Sequence, residues 1–203
     1  MNFVGHALAA TWVDPDPRFA LGAMLPDFAS MAAAGGPRVH LGDDHGPQVR
    51  AGIAWHHRTD HAFHGCAAFV RLTDAGTAAL RGAGLGRGPS LAAAHVGVEL
   101  LLDGELCHDP GLVRHYHGAL TCDAELAPPL RAVVRRLAEV GTPHWYRDTA
   151  EVATRLFRIL GARPKLAIAA EELDALGTWL RAVQADVRDA APGLVAELRA
   201  RLT

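Results

Sequence analysis

Apolar residues along this chain recur every three or four positions, and nowhere do they alternate with polar ones over the length of a strand. Val152, Leu156, Ile159 and Leu160 keep helical spacing behind Asp148 and Glu151, which have the separation of a capping box. Val96, Val98, Leu100, Leu101, Leu102 and Leu106 are denser. They make the stretch from Leu91 to about Cys107 apolar nearly all round, the pattern of a buried helix. Prolines and glycines divide the remainder. The pattern predicts helices over Phe3 to Val13, Phe19 to Phe28, Pro47 to about Leu72, about Ala124 to Val140, and Asp148 through Leu160. A last long helix is expected from Pro164, broken by Pro192 ahead of a short terminal one. Ser90 is placed as the cap of the buried helix, and Asp109-Pro110 opens a further segment. Ala33 to Gly46, the glycine-rich Gly82 to Pro89, and a turn at Thr142-Pro143 read as connections. The fold class this predicts is all-α, a single helical domain spanning 1–203.

Composition narrows the function classes. Half of the 203 residues are hydrophobic but only 6% are aromatic, and the formal net charge is −2. All but one of the 20 basic residues are Arg, Lys165 being the exception, and they form no aromatic-lined basic stripe. Nucleic acid and anionic membrane are therefore not the expected partners. Cys66, Cys107 and Cys122 form no CxxC pair, which suits free thiols in a reducing compartment. No apolar run reaches the roughly 18 residues of a membrane span, and the start Met-Asn-Phe-Val-Gly-His has no basic signal region. A cytoplasmic location is expected. Twelve histidines are the compositional oddity.

Those histidines cluster with carboxylates at helical spacing. In Trp55-His56-His57-Arg58-Thr59-Asp60-His61-Ala62-Phe63-His64, the residues His56, Asp60 and His64 drift by only about 40° per step and share a helix face. His57 and His61 share a neighbouring one. His95, Glu99 and Asp103 form the only polar stripe of the apolar helix. Two carboxylates in such a setting are costly unless paired with a cation, either an Arg of another helix or a metal. His6 on the first helix and Asp27 in Leu25-Pro26-Asp27-Phe28 join the candidates, although alone they read more readily as a core histidine and a helix cap.

Several short motifs follow one another along nearly the whole chain. They are Met1-Asn2-Phe3 with His6, Gly22-Ala23-Met24-Leu25-Pro26-Asp27-Phe28, Gly52-Ile53 ahead of His56, Arg58 and Asp60, Glu99 with Asp103, Tyr146-Arg147-Asp148, and Arg163-Pro164-Lys165-Leu166. In order and spacing they resemble the acyl-carrier-protein phosphodiesterase family, a divergent branch of the HD-domain metal-dependent phosphohydrolases. The chain departs from the family at three places. Phe63-His64 stands where the family has Thr-Asp, Glu99 where it has Asp, and Gly104 where it has His. His64 and His95 are placed as ligands that restore what those changes remove.

The resemblance implies an HD-domain-like bundle that hydrolyses the phosphodiester joining 4′-phosphopantetheine to a carrier-protein serine, with Mn²⁺ the favoured metal and Mg²⁺ or Fe as substitutes. Asp27, His56, Asp60, Glu99 and Asp103 would then supply the oxygen and imidazole ligands, with His64 beside them. Arg58 would neutralise phosphoryl charge, and His6 or His95 would carry the proton to the departing oxygen. An acidic carrier protein would dock on a basic face, either Arg131, Arg135 and Arg136 or Arg155, Arg158, Arg163 and Lys165. Two other classes fit the same residues: an HD-type di-iron oxygenase, and a non-catalytic carrier-protein binder. Iron content separates the first from the hydrolase, and absence of stoichiometric metal separates the second.

Overall fold

A computed structural model describes residues 1–33, 39, 41 and 45–203. Among these residues every regular element is helical and no strand occurs. The expected Ala33 to Gly46 connection falls largely outside the described residues. Among the described residues no helix is long and apolar enough to cross a membrane. The chain divides into two compact units. One comprises Met1–Ala62, Leu106–Pro143 and Arg201–Thr203; the other comprises Phe63–Glu105 and His144–Ala200.

In the first unit α1 (Phe3–Thr11), α2 (Pro17–Ala32), the body of α3 (Pro47–His64), α6 (Pro110–Thr121) and α7 (Pro128–Val140) surround a core that includes Val4, Leu21, Met24, Phe28, Tyr116 and Leu130. Local chemistry sets the helix starts. Asp16 accepts from the Arg18 N–H at 2.9 Å with Pro17 in the first turn, and Asp109 accepts from the Gly111 N–H at 2.7 Å ahead of Pro110. Two boundaries differ from expectation. α2 extends past both ends of Phe19 to Phe28 and runs through Pro26, because Leu21, Leu25 and Phe28 bury one continuous stripe across it. α7 begins at Pro128 instead of Ala124, with the paired prolines where their missing N–H groups cost nothing.

The second unit holds α4 (Ala67–Gly82), α5 (Arg87–Leu106, to Glu105), a 3-10 turn at His144–Arg147, α8 (Thr149–Gly161) and α9 (Leu173–Leu202, to Ala200). Trp179 of α9 is its keystone. A Cβ built on Gly76 of α4 would lie 2.7 Å from the indole, and one on Gly97 of α5 would lie 2.9 Å from it. Two further helices thus meet the ring at distances only glycine permits. Truncating such a ring to Ala costs about 3–5 kcal/mol.

Five expectations are corrected here. The helix from Pro47 does not reach Leu72. It stops at His64, and α4 restarts at Ala67, whose N–H donates to the Glu197 carboxylate at 3.0 Å. The glycine-rich connection is shorter than Gly82 to Pro89. α4 closes with Gly84 at φ +102° and the Leu85 N–H on the Leu80 carbonyl, and α5 already begins at Arg87. Ser90 therefore lies inside α5, its hydroxyl donating back to the Gly86 carbonyl at 2.8 Å, and does not cap it. The last helix starts at Leu173 instead of Pro164, because the Lys165 carbonyl is seated against Gly88 and holds that segment as a turn. Pro192 does not break it. Leu194 and Leu198 beyond it are 2% exposed, and burying two leucines, at about 1.5–3 kcal/mol each, offsets the roughly 3 kcal/mol that an interior proline costs.

Candidate metal centres

In the first unit α2 and α3 cross at two glycines. A Cβ on Gly22 would collide with the Val49 carbonyl, and one on Gly52 with the Phe19 carbonyl, so the two backbones touch. One turn further along α3, the His56 Nδ1 lies 2.8 Å from the Ala23 carbonyl oxygen across the same crossing. The Trp55 indole N–H donates to the Ala9 carbonyl at 3.1 Å and ties α3 to α1. These contacts bring His6 of α1, Asp27 of α2 and His56 of α3 together, so that one ligand atom from each lies within 4.8 Å of the others.

The hydrogen bonds fix which imidazole nitrogen carries a proton. A carbonyl oxygen only accepts, so His56 holds its proton on Nδ1 and keeps the Nε2 lone pair. The Thr59 hydroxyl is 2.9 Å from the His56 carbonyl and 3.1 Å from the Trp55 carbonyl, to which it donates. Its oxygen is then free to accept from His6 Nδ1–H, 3.2 Å away. His6 thereby turns its Nε2 toward Asp27 Oδ2 at 3.7 Å and Asp60 Oδ1 at 4.0 Å. Asp60 Oδ1 also accepts from the Met1 α-amino group at 3.1 Å. The His6 and His56 rings stack at 4.1 Å and are buried, while the Asp27 and Asp60 side chains are 31% and 35% exposed. Imidazoles form the floor and carboxylates the rim. Burial pushes His56 below its ordinary value and keeps it neutral, against the pull of the Ala23 carbonyl and the Asp60 charge. Neutral imidazole is the form a metal takes.

The second unit carries its own group: His64 at the end of α3, with His95 and Glu99 one turn apart on α5. His64 Nε2 lies 3.1 Å from His95 Nε2 and 3.3 Å from Glu99 Oε1, and His95 Nε2 lies 3.2 Å from the same oxygen. Phe69 packs on both imidazoles at 5.3 and 5.1 Å between ring centroids and holds their planes. Burial pushes the Glu99 carboxyl up, but the His64 and His95 imidazoles beside it hold it well below the usual carboxylate range.

Asp27, His56 and Asp60 thus gather with His6, and His64 and Glu99 gather with His95. Asp103 is fully buried on α5 and belongs to neither set of converging ligand atoms. Arg58 is exposed, its guanidinium 5.0 Å over the Trp55 ring. His57 and His61 are exposed as well. Gly104 has a packing reason. A Cβ there would lie 2.6 Å from the Tyr146 carbonyl, and the Gly104 carbonyl accepts from Arg147 Nε at 3.2 Å. Sequence reasoning passed over Thr59. Its only signal is a hydroxyl one turn from His56, where a threonine inside a helix back-bonds to its own turn. No protein family, curated protein or solved structure matches the chain.

Proposed function

We propose that this chain is a metal-dependent phosphoester hydrolase of the acyl-carrier-protein phosphodiesterase kind, with His6, Asp27 and His56 as metal ligands and Asp60 beside them. The observation that supports this reading is the tautomer lock on His6. His6 Nε2 faces two carboxylate oxygens at 3.7 and 4.0 Å, and a cation held among them would add to the Met1 α-amino group in offsetting their charge. Two imidazoles with carboxylates form a donor set suited to Mn²⁺ or Fe, with Mg²⁺ less well matched. A metal held there would polarise a phosphoryl oxygen and lower the pKa of a bound water. The protein's own part is to fix the imidazoles from behind, through Thr59 and the Ala23 carbonyl, and to leave the carboxylate rim open to substrate. Arg131, Arg135 and Arg136 lie exposed on α7 and would meet an acidic carrier protein. In the other basic cluster Arg155 is taken up by stacking on Trp145 and Tyr146.

The test is metal content of the untagged full chain together with turnover of phosphopantetheinylated carrier protein in Mn²⁺. Release of apo-carrier, lost in Asp27→Asn, supports the reading. That loss should exceed the roughly 10–100-fold cost of removing an outer-shell partner. Bound metal without release on this substrate, or on other phosphoesters, removes the hydrolase assignment, and an iron-rich preparation would turn attention to oxygen chemistry. Absence of metal under every loading condition leaves a carrier-protein binder.

A further inference from the structure

The three edges between the ligand atoms of His64, His95 and Glu99 are 3.1, 3.3 and 3.2 Å, a nearly equilateral triangle. Hydrogen bonding alone does not account for it. The corners of such a triangle subtend about 60°, so one N–H cannot point along two edges at good geometry. If both imidazoles donate to Glu99 Oε1, their two N–H groups face each other across the 3.1 Å edge. If one imidazole donates to the other, a carboxylate contact is lost. Three lone pairs around one cation satisfy all three edges together. An ion about 2.0–2.1 Å from each atom would sit roughly 1 Å out of their plane, with ligand–metal–ligand angles of roughly 100°, between octahedral and tetrahedral.

We propose that His64, His95 and Glu99 form a site for one first-row transition ion, bound through two imidazole nitrogens and one carboxylate oxygen and open on its remaining side. Two imidazoles select borderline ions such as Zn²⁺, Co²⁺ or Fe²⁺ over Mg²⁺ and Ca²⁺. His95 and Glu99 sit at i and i+4 of one helix, the separation at which two side chains reach a common point. The His64 and His95 side chains are 34% and 43% exposed and Glu99 is 12% exposed, so the carboxylate anchors the ion from the interior and the imidazoles present it to solvent. With three protein ligands, the remaining positions take water or an oxyanion.

The experiment strips the untagged full chain with chelator, reloads it with Co²⁺, and reads both metal stoichiometry and the visible d–d spectrum. The expected result is an intense d–d band of low-coordinate Co²⁺ that disappears, with one equivalent of metal, in His95→Asn and His64→Asn. Asp27→Asn keeps both, so this result stands even if the hydrolase reading fails. His95 is partly exposed and its variant retains the fold, checked by its urea midpoint; Glu99→Gln serves as a second variant. Unchanged stoichiometry and spectrum in the histidine variants overturn the proposal, as does loss of the same equivalent in Asp27→Asn.

Discussion

Thr59 offers a direct test of how the first group is held. The side chain is fully buried, and its hydroxyl is the atom that receives His6 Nδ1–H. Thr59→Val keeps the shape and removes that acceptor. The Trp55 and His56 carbonyls lose a second donor but keep their helical partners. His6, itself fully buried, loses more. A buried N–H left without its acceptor costs about 1–3 kcal/mol, so the metal-free variant should be destabilised by that amount. His6 can recover part of this by moving the proton to Nε2, where it would donate toward Asp27 and Asp60. That move removes the lone pair a metal needs. The stability loss and the metal-affinity loss therefore trade against each other, and at least one must be seen.

Metal affinity should fall about 10–100-fold, the usual cost of losing an outer-shell partner, which corresponds to roughly 1.4–2.8 kcal/mol. Competition with a chromophoric chelator measures it, and urea unfolding of the stripped protein measures the stability. Thr59→Ser, which keeps the hydroxyl and loses one methyl, should retain metal affinity and lose about 0.5–1.5 kcal/mol of stability, as other single-methyl deletions do. A Thr59→Val protein with both wild-type metal affinity and wild-type stability would refute the tautomer argument. Equal affinity losses in Val and Ser would point to packing instead of the hydroxyl.

Three further outcomes follow from the same geometry. Gly22→Ala drives a methyl into the Val49 carbonyl, a backbone group that cannot step aside; it should lower the urea midpoint by at least the 1–3 kcal/mol typical of overpacking and weaken metal binding at His56 with it. Gly104→Ala meets the Tyr146 carbonyl at 2.6 Å and should destabilise by about 1–3 kcal/mol, despite the gain in helix propensity, and Gly104→His by more; an Ala variant as stable as wild type would show that the approach is not tight. Burial holds His115 below its ordinary value of 6.5, so the unfolded chain takes up the proton first. Stability from this group is full above 6.5 and is lost as pH falls below it; urea unfolding at neutral and mildly acid pH should show the decline, and His115→Asn should flatten it.

The helices were legible wherever a local signal set them. Asp109-Pro110 and Asp148 mark starts that a sequence displays, since cap and first turn are neighbours in the chain. The breaks that periodicity missed were set from far away. Phe63 and Phe69 continue the apolar spacing across the α3–α4 junction, and what ends the run is Gly65-Cys66 with Glu197 receiving the Ala67 N–H from 130 residues on. Pro192 shows the converse. Its local signal is strong, but the buried stripe from Leu176 through Leu198 is worth more than the hydrogen bond it removes.

The candidate site residues could be picked out by type and helix face, and not by partner. Helical spacing puts His56, Asp60 and His64 along one side of α3, which suggests three ligands of one ion. Along a helix, however, residues eight apart are about 12 Å apart in rise, beyond the span of one coordination sphere. The convergence must come from other helices, and which helix meets which end of α3 is decided by contacts that carry no His or Asp signature. Gly22 against Gly52 brings α2, and with it Asp27, onto the His56 end. At the other end His64 meets α5 at His95 and Glu99. The glycines in the motifs are thus as much part of the candidate site as its His and Asp side chains. Replacing either should disperse the first group while every ligand stays in the sequence.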